Sequence, residues 1–406
     1  MRKAIIILAA LIAGVFAGLL IADDAPNLST AADIIGTLWL NGLRMTVVPL
    51  VVALLITGIG KAAAMARAGR MTLRAIVTII IILWASSVMA AFITPALLSF
   101  FPLPSDAANA LREALGSAQP TGDVPPFSEF LRALVPTNPV AAAANDEILP
   151  LIIFTLAFAF AVTRLAEKPR QGLLAFFEAL SEALLILIQW VLLLAPIGVF
   201  ALAFGVGAKA GTAAFGALVH YVLIVASVGL VIWLASFVLA AIGGRTGPLA
   251  FFRAAAPAQA VAISTQSSLA SLPAMVSGVK AMGVGERSAD VVLPIAVALF
   301  RATGPCMNLA VAIYCAHLLG IQLSITALAI GVVVAAITTM GAVSLPGSVS
   351  FITSIAPINI AMGLPIEPLA LLLAIETFPD IMRTVGNVSM DMAVTTQIAR
   401  AEGDKK

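Results

Sequence analysis

Charge is what this sequence has least of. Only 10% of its 406 residues are Asp, Glu, Lys or Arg, whereas a soluble domain carries about 25%. The 22 basic residues nearly cancel the 20 acidic ones, which leaves no basic excess for nucleic acid. The two cysteines, Cys306 and Cys315, lie in one apolar segment and suggest neither a disulfide framework nor a zinc site. These shortages exclude a soluble enzyme, a disordered chain and a nucleic-acid-binding protein.

Long apolar runs are what the chain has instead. Hydrophobic residues make up 61% of it, and its mean hydropathy is +1.11. A transmembrane helix needs about 20 mostly apolar residues. The first apolar run is too long for a signal peptide and lacks an Ala-x-Ala cleavage site, so we interpret it as a span. The sequence predicts an all-α, multi-pass membrane protein whose ordinary spans fall in the runs 4–22, 34–60, 75–105, 148–163, 183–208 and 210–244.

Two later apolar segments have polar centres. Residues 254–279 carry no charge, yet Ser264 to Pro273 hold five hydroxyls. The uncharged stretch 302–366 has a second polar centre, rich in Gly and Pro, at Thr338 to Ser348. Non-helical backbone at membrane depth is tolerated where protein or a water-filled cavity surrounds it, so we interpret each centre as the tip of a re-entrant hairpin. A kinked full span that packs its serines against neighbouring helices is the alternative for the first segment.

The final segment, about 368–399, is predicted to be a single helix that carries charges. The predicted order along the chain is six spans, a hairpin, a seventh helix, a second hairpin and this eighth helix. If the N-terminus is cytoplasmic, this order places most of the 22 Lys and Arg on the cytoplasmic side, as is typical of membrane proteins. We therefore expect eight transmembrane helices plus two re-entrant hairpins in the cell inner membrane, with both termini cytoplasmic. Interrupted segments at comparable places also indicate inverted repeats around a midplane binding site.

The final helix carries the strongest candidate site. Asp380, Arg383, Thr384, Asn387 and Asp391 share one face by their helical spacing. A guanidinium binds a carboxylate with two parallel hydrogen bonds, and ionisable groups within a membrane are functional by default. We therefore expect Arg383 to bind a carboxylate ligand and Asp380 to bind an ammonium group. The alternative is a structural ion pair in which Asp380 only neutralises Arg383.

This stretch, read from Asp380 to Asp391, resembles the D-x-x-R-T-x-x-N-V-x-x-D signature of the dicarboxylate/amino acid:cation symporters, the glutamate transporter family. Val135 to Pro150 is similar to the family's V-P-T-N-P…L-P entry to the fourth helix, and Arg44 to Val51 resembles its second-helix motif. The Ser-rich tip with Leu272-Pro273 and the Leu345-Pro346-Gly347 tip resemble the two family hairpins. The resemblance covers essentially the whole chain.

The resemblance implies a homotrimer whose protomers each contain a scaffold and a transport domain that moves as an elevator. The second hairpin tip, with Ser344, Pro346 and Gly347, is the implied gate. Thr384 and Asn387 are implied to contact the amino and α-carboxylate groups of the substrate, helped by backbone at Ser267 and Ser268. The implied units are 1–74 (first two helices, scaffold), 75–105 (third helix, transport), 106–172 (loop and fourth helix, scaffold), 173–209 (fifth helix, scaffold), 210–248 (sixth helix, transport) and 249–406 (transport core).

One departure from the family is large. Its N-M-D-G-T motif falls on Phe300 to Gly304, so the Asn, Asp and Thr implied to serve sodium and substrate are absent, and Arg301 introduces a positive charge. We expect Arg301 to act as a tethered cation, paired with Asp391 or Glu376, that weakens or replaces sodium coupling. A boundary position at which Arg301 reaches water is the alternative. The residues that remain from the cation site are Ser86, Ser87, Asn387 and Asp391.

The expected function is a secondary transporter of an acidic amino acid or a C4 dicarboxylate. The carboxylate at Asp380 favours an amino acid, because relatives for dicarboxylates without an amine lack it. We expect no cofactor, with Na⁺ or H⁺ as the coupling ion, and only a small carboxylate and the lipid bilayer as partners besides the trimer. A proton-coupled or exchange carrier for another carboxylate remains open. An anion-conducting channel also remains open, since Arg301 and Arg383 would make a pathway positive. No hydrolase or metalloprotease motif supports an intramembrane enzyme.

Overall fold

The computed structural model describes residues 2–21, 26–66, 69–103, 108–109, 135–210, 213–341 and 347–404. Within these ranges the regular structure is helical. The helices are α1 (Arg2–Ile21), α2 (Pro26–Ala66), α3 (Arg70–Phe100), α4 (Pro139–Ala144), α5 (Ile148–Arg164), α6 (Glu167–Leu193), α7 (Ala195–Ala210), α8 (Ala213–Ile242), α9 (Pro248–Thr265), α10 (Ser268–Ala281), α11 (Glu286–Leu299), α12 (Thr303–Leu319), α13 (Ile325–Gly341), α14 (Gly347–Ala361), α15 (Glu367–Leu372) and α16 (Thr377–Ala401).

Several helices are apolar around their whole circumference. In the described residues, five helical stretches are long and apolar enough to cross a membrane: Asn27–Met65, Arg70–Phe100, Glu167–Leu193, Phe215–Ile242 and Glu286–Leu319. Shorter apolar helices lie between them along the chain. A helix satisfies its backbone groups internally, which is the requirement that a lipid environment imposes. The chain is therefore a multi-pass, all-helical membrane protein over the described residues.

Helices α1, α2 and α4 to α7 pack largely among themselves. Helix α1 lies along α7, and α2 contacts α5, α6 and α7. The approach of α1 to α7 is close because both helices have glycine at the contact. A Cβ atom at Gly18 would lie within 2.0 Å of the carbonyl oxygen of Phe204, and one at Gly207 within 2.1 Å of that of Val15. Small residues permit such close packing of membrane helices.

Helix α3 joins a second group. It packs against α12 and α13, while α8 packs along α16, and α9 and α10 lie against each other and against α16. Helices α13 and α14 in turn contact α2. Helix α16 is the centre of this group, and its residues from Thr384 to Thr396 are buried. The polar face predicted for the final helix thus lies inside the protein.

The region 173–209, predicted as one helix, contains two. Helix α6 ends at Leu193 and α7 begins at Ala195. Pro196 lacks a backbone N–H and its ring opposes continuation of a preceding helix. The backbone carbonyl of Leu194 instead accepts from the amides of Ile197 and Gly198, so the chain restarts a helix at this point.

Helices α9 and α10 pack against each other across a break inside the hydroxyl-rich run. Helix α9 ends at Thr265 and is followed by Gln266, whose φ of 53° is left-handed. Ser267 then caps α10 by accepting from the amide of Ala270 at 3.2 Å. Pro273 lies within α10. The hydroxyl-rich tip, with a left-handed residue followed by a serine cap, therefore ends one helix and starts the next.

The final segment is also divided, which corrects the predicted single helix over 368–399. Helix α15 ends at Leu372 and α16 begins at Thr377. Pro379 is the third residue of α16, where its missing N–H has no intrahelical partner to lose. Pro379 therefore lies at a helix start, and Glu376 stands immediately before this helix.

Candidate functional site

A polar cavity of about 200 Å³ lies where the first hairpin tip meets the final helix. It is bordered by the end of α9, the start of α10, the non-helical link between α11 and α12, one residue of α14 and the first half of α16. The lining residues are Thr265, Gln266, Ser267, Ser268, Arg301, Ser350, Asp380, Arg383, Thr384 and Asn387. All six predicted substrate-binding residues border this cavity.

Arg383 contacts three different side chains. Its Nη2 donates to Oε1 of Glu376 at 2.7 Å, its Nε lies 3.3 Å from Oδ1 of Asp380, and its Nη1 donates to Oδ1 of Asn308 at 2.6 Å. Only 13% of its side chain is exposed. The ion pair between Asp380 and Arg383, left open as an alternative, is thus formed, while both residues also border the cavity.

Glu376 has a second donor besides Arg383. The hydroxyl of Tyr221, a fully buried residue of α8, donates to Oε2 of Glu376 at 2.7 Å. Buried charges are tolerated when they are paired and hydrogen-bonded, and both oxygens of Glu376 have a partner. Sequence reasoning found neither Tyr221 nor Asn308. The sequence feature that could have indicated Tyr221 is its rarity, because the chain has only two tyrosines and this one lies in an apolar run.

Asn387 connects the final helix to the interrupted helix. Its Oδ1 accepts from the backbone amide of Thr303 at 2.9 Å and from the Thr303 hydroxyl at 2.8 Å. The side chain therefore caps the start of α12 from a neighbouring helix. Its amide nitrogen makes no hydrogen bond among the described residues, and Asn387 lines the cavity. Thr384, one turn before, turns its hydroxyl back to the Asp380 carbonyl at 2.9 Å.

The start of α10 borders the cavity at Ser267 and Ser268. Ser267 caps α10, which leaves the amides of its first residues, beginning at Ser268, without intrahelical acceptors. Such amides and the positive end of the helix dipole favour an anion. Gln266 fixes the tip by donating from Nε2 to the carbonyl of Thr377 at 3.0 Å. Sequence reasoning missed Gln266 and Thr265, although both lie inside the hydroxyl-rich run it singled out.

Arg301 lies in the link between α11 and α12. Its Nη1 donates to the hydroxyl of Ser350 in α14 at 3.2 Å. The predicted pairing of Arg301 with Asp391 or Glu376 is wrong: Glu376 pairs with Arg383, and no ion pair to Asp391 exists among the described residues. Asp380 and Asp391 act on Arg301 electrostatically without touching it. The reason is that Glu376 stands before α16, where it faces Arg383.

The side chains expected to retain part of a cation site make no hydrogen bond to one another among the described residues. Ser86 donates to the carbonyl of Leu83 at 2.9 Å, and Ser87 donates to the carbonyl of Val332 at 2.8 Å. Within the part of the chain that the structure describes, both oxygens of the fully buried Asp391 lack a hydrogen-bond partner. No group of three or more His, Cys, Asp or Glu suited to a metal occurs in the described ranges.

The predicted gate falls mostly outside the described residues. Ser344 and Pro346 lie in 342–346, which the structure does not describe, and Gly347 is the first residue of α14. Helices α13 and α14 flank the segment and pack against each other. The gate therefore stays a prediction.

Buried guanidinium and carboxylate groups around a polar cavity, inside a bundle of apolar helices, define a membrane transport protein. The sodium:dicarboxylate symporter family model matches residues 4–401, and the chain belongs to this family.

Curated relatives are similar over almost their whole length. The chain is 28% identical over 404 residues to the proton/sodium-glutamate symport protein of Bacillus subtilis, covering 97% of this chain and 91% of the relative. It is 28% identical over 375 residues to the proton/glutamate-aspartate symporter of Escherichia coli, covering 90% and 84%. It is 25% identical over 400 residues to a C4-dicarboxylate transport protein of Rhizobium etli, covering 97% and 88%. The family and these relatives are transporters rather than enzymes.

Proposed function

We propose that this protein is a secondary active transporter that carries an acidic amino acid or a C4 dicarboxylate across the cell inner membrane. The observation that carries the proposal is the cavity in which Arg383, Asp380 and the α10 start converge. A guanidinium and free helix amides suit a carboxylate, and an acidic side chain beside them suits an ammonium group. The glutamate, aspartate and C4-dicarboxylate named for the relatives support this substrate class.

The substrate contacts follow from the cavity wall. The substrate carboxylates meet Arg383 and the backbone at Ser267 and Ser268, while Thr384 and Asn387 contact its remaining polar groups. The Asp380 carboxylate, which touches Arg383 through Oδ1, keeps Oδ2 for an amine. An amino acid therefore fits this site better than a dicarboxylate without an amine. Competition of unlabelled succinate against labelled aspartate on the purified protein tests this preference, and tighter binding of succinate contradicts it.

The proposed architecture is eight transmembrane helices plus two re-entrant hairpins, related by inverted repeats, in a homotrimer with cytoplasmic termini. Two similar successions of helices support the repeats: α9 and α10 precede the interrupted pair α11 and α12, and α13 and α14 precede the interrupted pair α15 and α16. The packing of α3 and α8 against the later helices, with α1, α2 and α5 to α7 as neighbours, supports a separate transport domain. We propose that this domain moves as an elevator.

Sodium coupling is weakened or replaced in this proposal. Arg301 supplies a fixed positive charge whose field reaches Asp391 without contact, and the charge takes the place of an exchangeable cation. Protons or exchange of substrate then drive transport. Uptake into reconstituted vesicles with and without a sodium gradient tests this point. Equal uptake is expected, and strict dependence on sodium contradicts it.

Counterflow separates a carrier from an anion channel. Vesicles that contain the purified protein are loaded with unlabelled aspartate or succinate, and uptake of the labelled acid from outside is followed. Saturable accumulation of label that requires internal substrate is expected of a carrier. Current proportional to voltage without counterflow contradicts the proposal and favours the channel that the two buried arginines also permit.

A further inference from the structure

Arg301 has more unused hydrogen-bonding capacity than Arg383. A guanidinium carries five N–H donors. Arg383 directs donors to Glu376, Asp380 and Asn308. Arg301 borders the same cavity, and its contact among the described residues is one hydrogen bond to the hydroxyl of Ser350. A partly buried guanidinium with spare donors toward a polar cavity is placed to bind an anionic ligand.

Arg301 also has fewer carboxylates close to it than Arg383 has. Two carboxylates, Glu376 and Asp380, lie within ion-pair distance of Arg383. No carboxylate of the described residues lies within that distance of Arg301, on which Asp380 and Asp391 act only from farther away. Protein carboxylates therefore neutralise the positive charge of Arg301 less than that of Arg383, and Arg301 attracts an incoming carboxylate more strongly.

The contact that Arg301 does make is easily exchanged. A hydrogen bond from arginine to a neutral hydroxyl at 3.2 Å is longer and weaker than one to a carboxylate. A ligand carboxylate can replace the Ser350 hydroxyl and accept two parallel N–H donors. The amides at the start of α10, which border the same cavity at Ser267 and Ser268, add to the attraction for an anion.

We propose that Arg301 is itself a substrate ligand, binding one carboxylate of the acid in exchange for its contact with Ser350. This inference rests on the proposed function and names a second guanidinium at the same site. It makes Arg301 a determinant of preference for an acid over the corresponding amide, a role distinct from the charge balance proposed above.

The test compares each acid with its monoamide: aspartate with asparagine, and succinate with succinamate. Equilibrium binding of the labelled acid, with the amide as competitor, is measured on the purified full-length chain. If the wild type binds neither acid, the proposed function fails. If it binds one, Arg301→Met is expected to weaken that acid about 10- to 100-fold, as loss of a charged hydrogen-bond partner does, with little change for the amide.

The outcome that overturns the inference is an unchanged acid-to-amide ratio in Arg301→Met, whether both ligands bind as before or both weaken equally. Equal weakening assigns Arg301 to charge balance alone. Arg301→Lys serves as the second variant because it keeps the positive charge but cannot donate two parallel hydrogen bonds. An acid-to-amide ratio between those of the wild type and Arg301→Met is expected. Arg253→Met, which removes an exposed arginine of α9, is the matched control and should retain the wild-type ratio.

Ser350→Ala gives an independent reading. Without the hydroxyl, the Arg301 guanidinium loses its one hydrogen-bond partner among the described residues, so the acid no longer competes with that hydroxyl. Acid binding is expected to stay unchanged or to tighten by up to about tenfold, the range of a single neutral hydrogen bond. A tenfold loss of acid binding in Ser350→Ala contradicts the exchange.

Discussion

Arg383 and Glu376 are joined by a hydrogen bond of 2.7 Å between Nη2 and Oε1, although seven residues separate them along the chain. The bond forms because Glu376 stands just before the start of α16, so that the arginine reaches back along the helix to it. Tyr221 holds the other carboxylate oxygen from α8. The arginine that the sequence singled out is thus oriented by an acidic residue outside its own helix.

Removal of Glu376 tests the strength of this buried pair. Glu376→Ala leaves Arg383 beside Asp380 and deprives Tyr221 of its acceptor. Loss of one partner from a buried ion pair destabilises a protein by about 3–5 kcal/mol. Thermal or denaturant unfolding of the purified variant in detergent measures the effect. Glu178→Ala is the control, since Glu178 pairs with Lys61 where both side chains are about half exposed, and such pairs contribute about 0–1 kcal/mol. Equal effects of the two substitutions contradict the expectation.

The two tyrosines are a matched pair for the role of Glu376 in transport. The hydroxyl of Tyr221 donates to Glu376, whereas that of Tyr314 donates to the carbonyl of Ala217 at 2.8 Å. Tyr221→Phe should change the transport KM several-fold, because Glu376 loses a hydrogen-bond donor and its contact with Arg383 changes. Tyr314→Phe should leave the KM within twofold. A KM change of the same size in both variants indicates a general packing effect and contradicts this account.

Asn387 caps α12 from another helix and also lines the cavity. Two substitutions of Asn387 distinguish its role in capping from its role in the cavity. Asn387→Ala removes the acceptor for the amide and hydroxyl of Thr303, and we expect about 1–2 kcal/mol of stability to be lost. Asn387→Asp keeps an acceptor oxygen and should retain more stability while still impairing transport. Unfolding and vesicle uptake are measured on both variants. Lower stability in Asn387→Asp than in Asn387→Ala goes against the capping role.

Gly386 lets α16 approach α12. A Cβ atom at this position would lie 2.5 Å from Cγ2 of Thr303, so Gly386→Ala must displace one helix from the other. We expect a loss of about 1–3 kcal/mol, typical of overpacking, together with weaker transport. Gly205→Ala in α7 is the control, because a Cβ atom there would meet nothing within 4 Å. A control that is as destabilised as Gly386→Ala would contradict the packing argument.

Much of the fold follows from local sequence. Apolar runs predicted the helices, and the hydroxyl-rich run around Ser267 predicted the break between α9 and α10. The break lies near the start of that run, because the left-handed conformation of Gln266 and the cap at Ser267 end one helix and start the next before Pro273 is reached. The proline then falls inside a helix that has already begun.

The candidate site was predictable in part. The spacing of Asp380, Arg383, Thr384 and Asn387 placed them on one face, and all four border the cavity. The contacts of Arg383 with Asn308, of Glu376 with Tyr221 and of Arg301 with Ser350 were not predictable, since these partners come from other helices and meet only through tertiary packing. The wrong pairing of Arg301 has this same cause, because the turn before α16 determines which guanidinium Glu376 faces.

The central claim is that the buried guanidinium of Arg383 serves a mobile acid. Counterflow of labelled aspartate and succinate, measured in vesicles containing either the wild type or a correctly folded Arg383→Ala variant, tests it most directly. The account predicts at least a tenfold loss of carrier-mediated flux in the variant. Flux and substrate affinity equal to those of the wild type would contradict it and leave Arg383 as part of a purely structural ion pair.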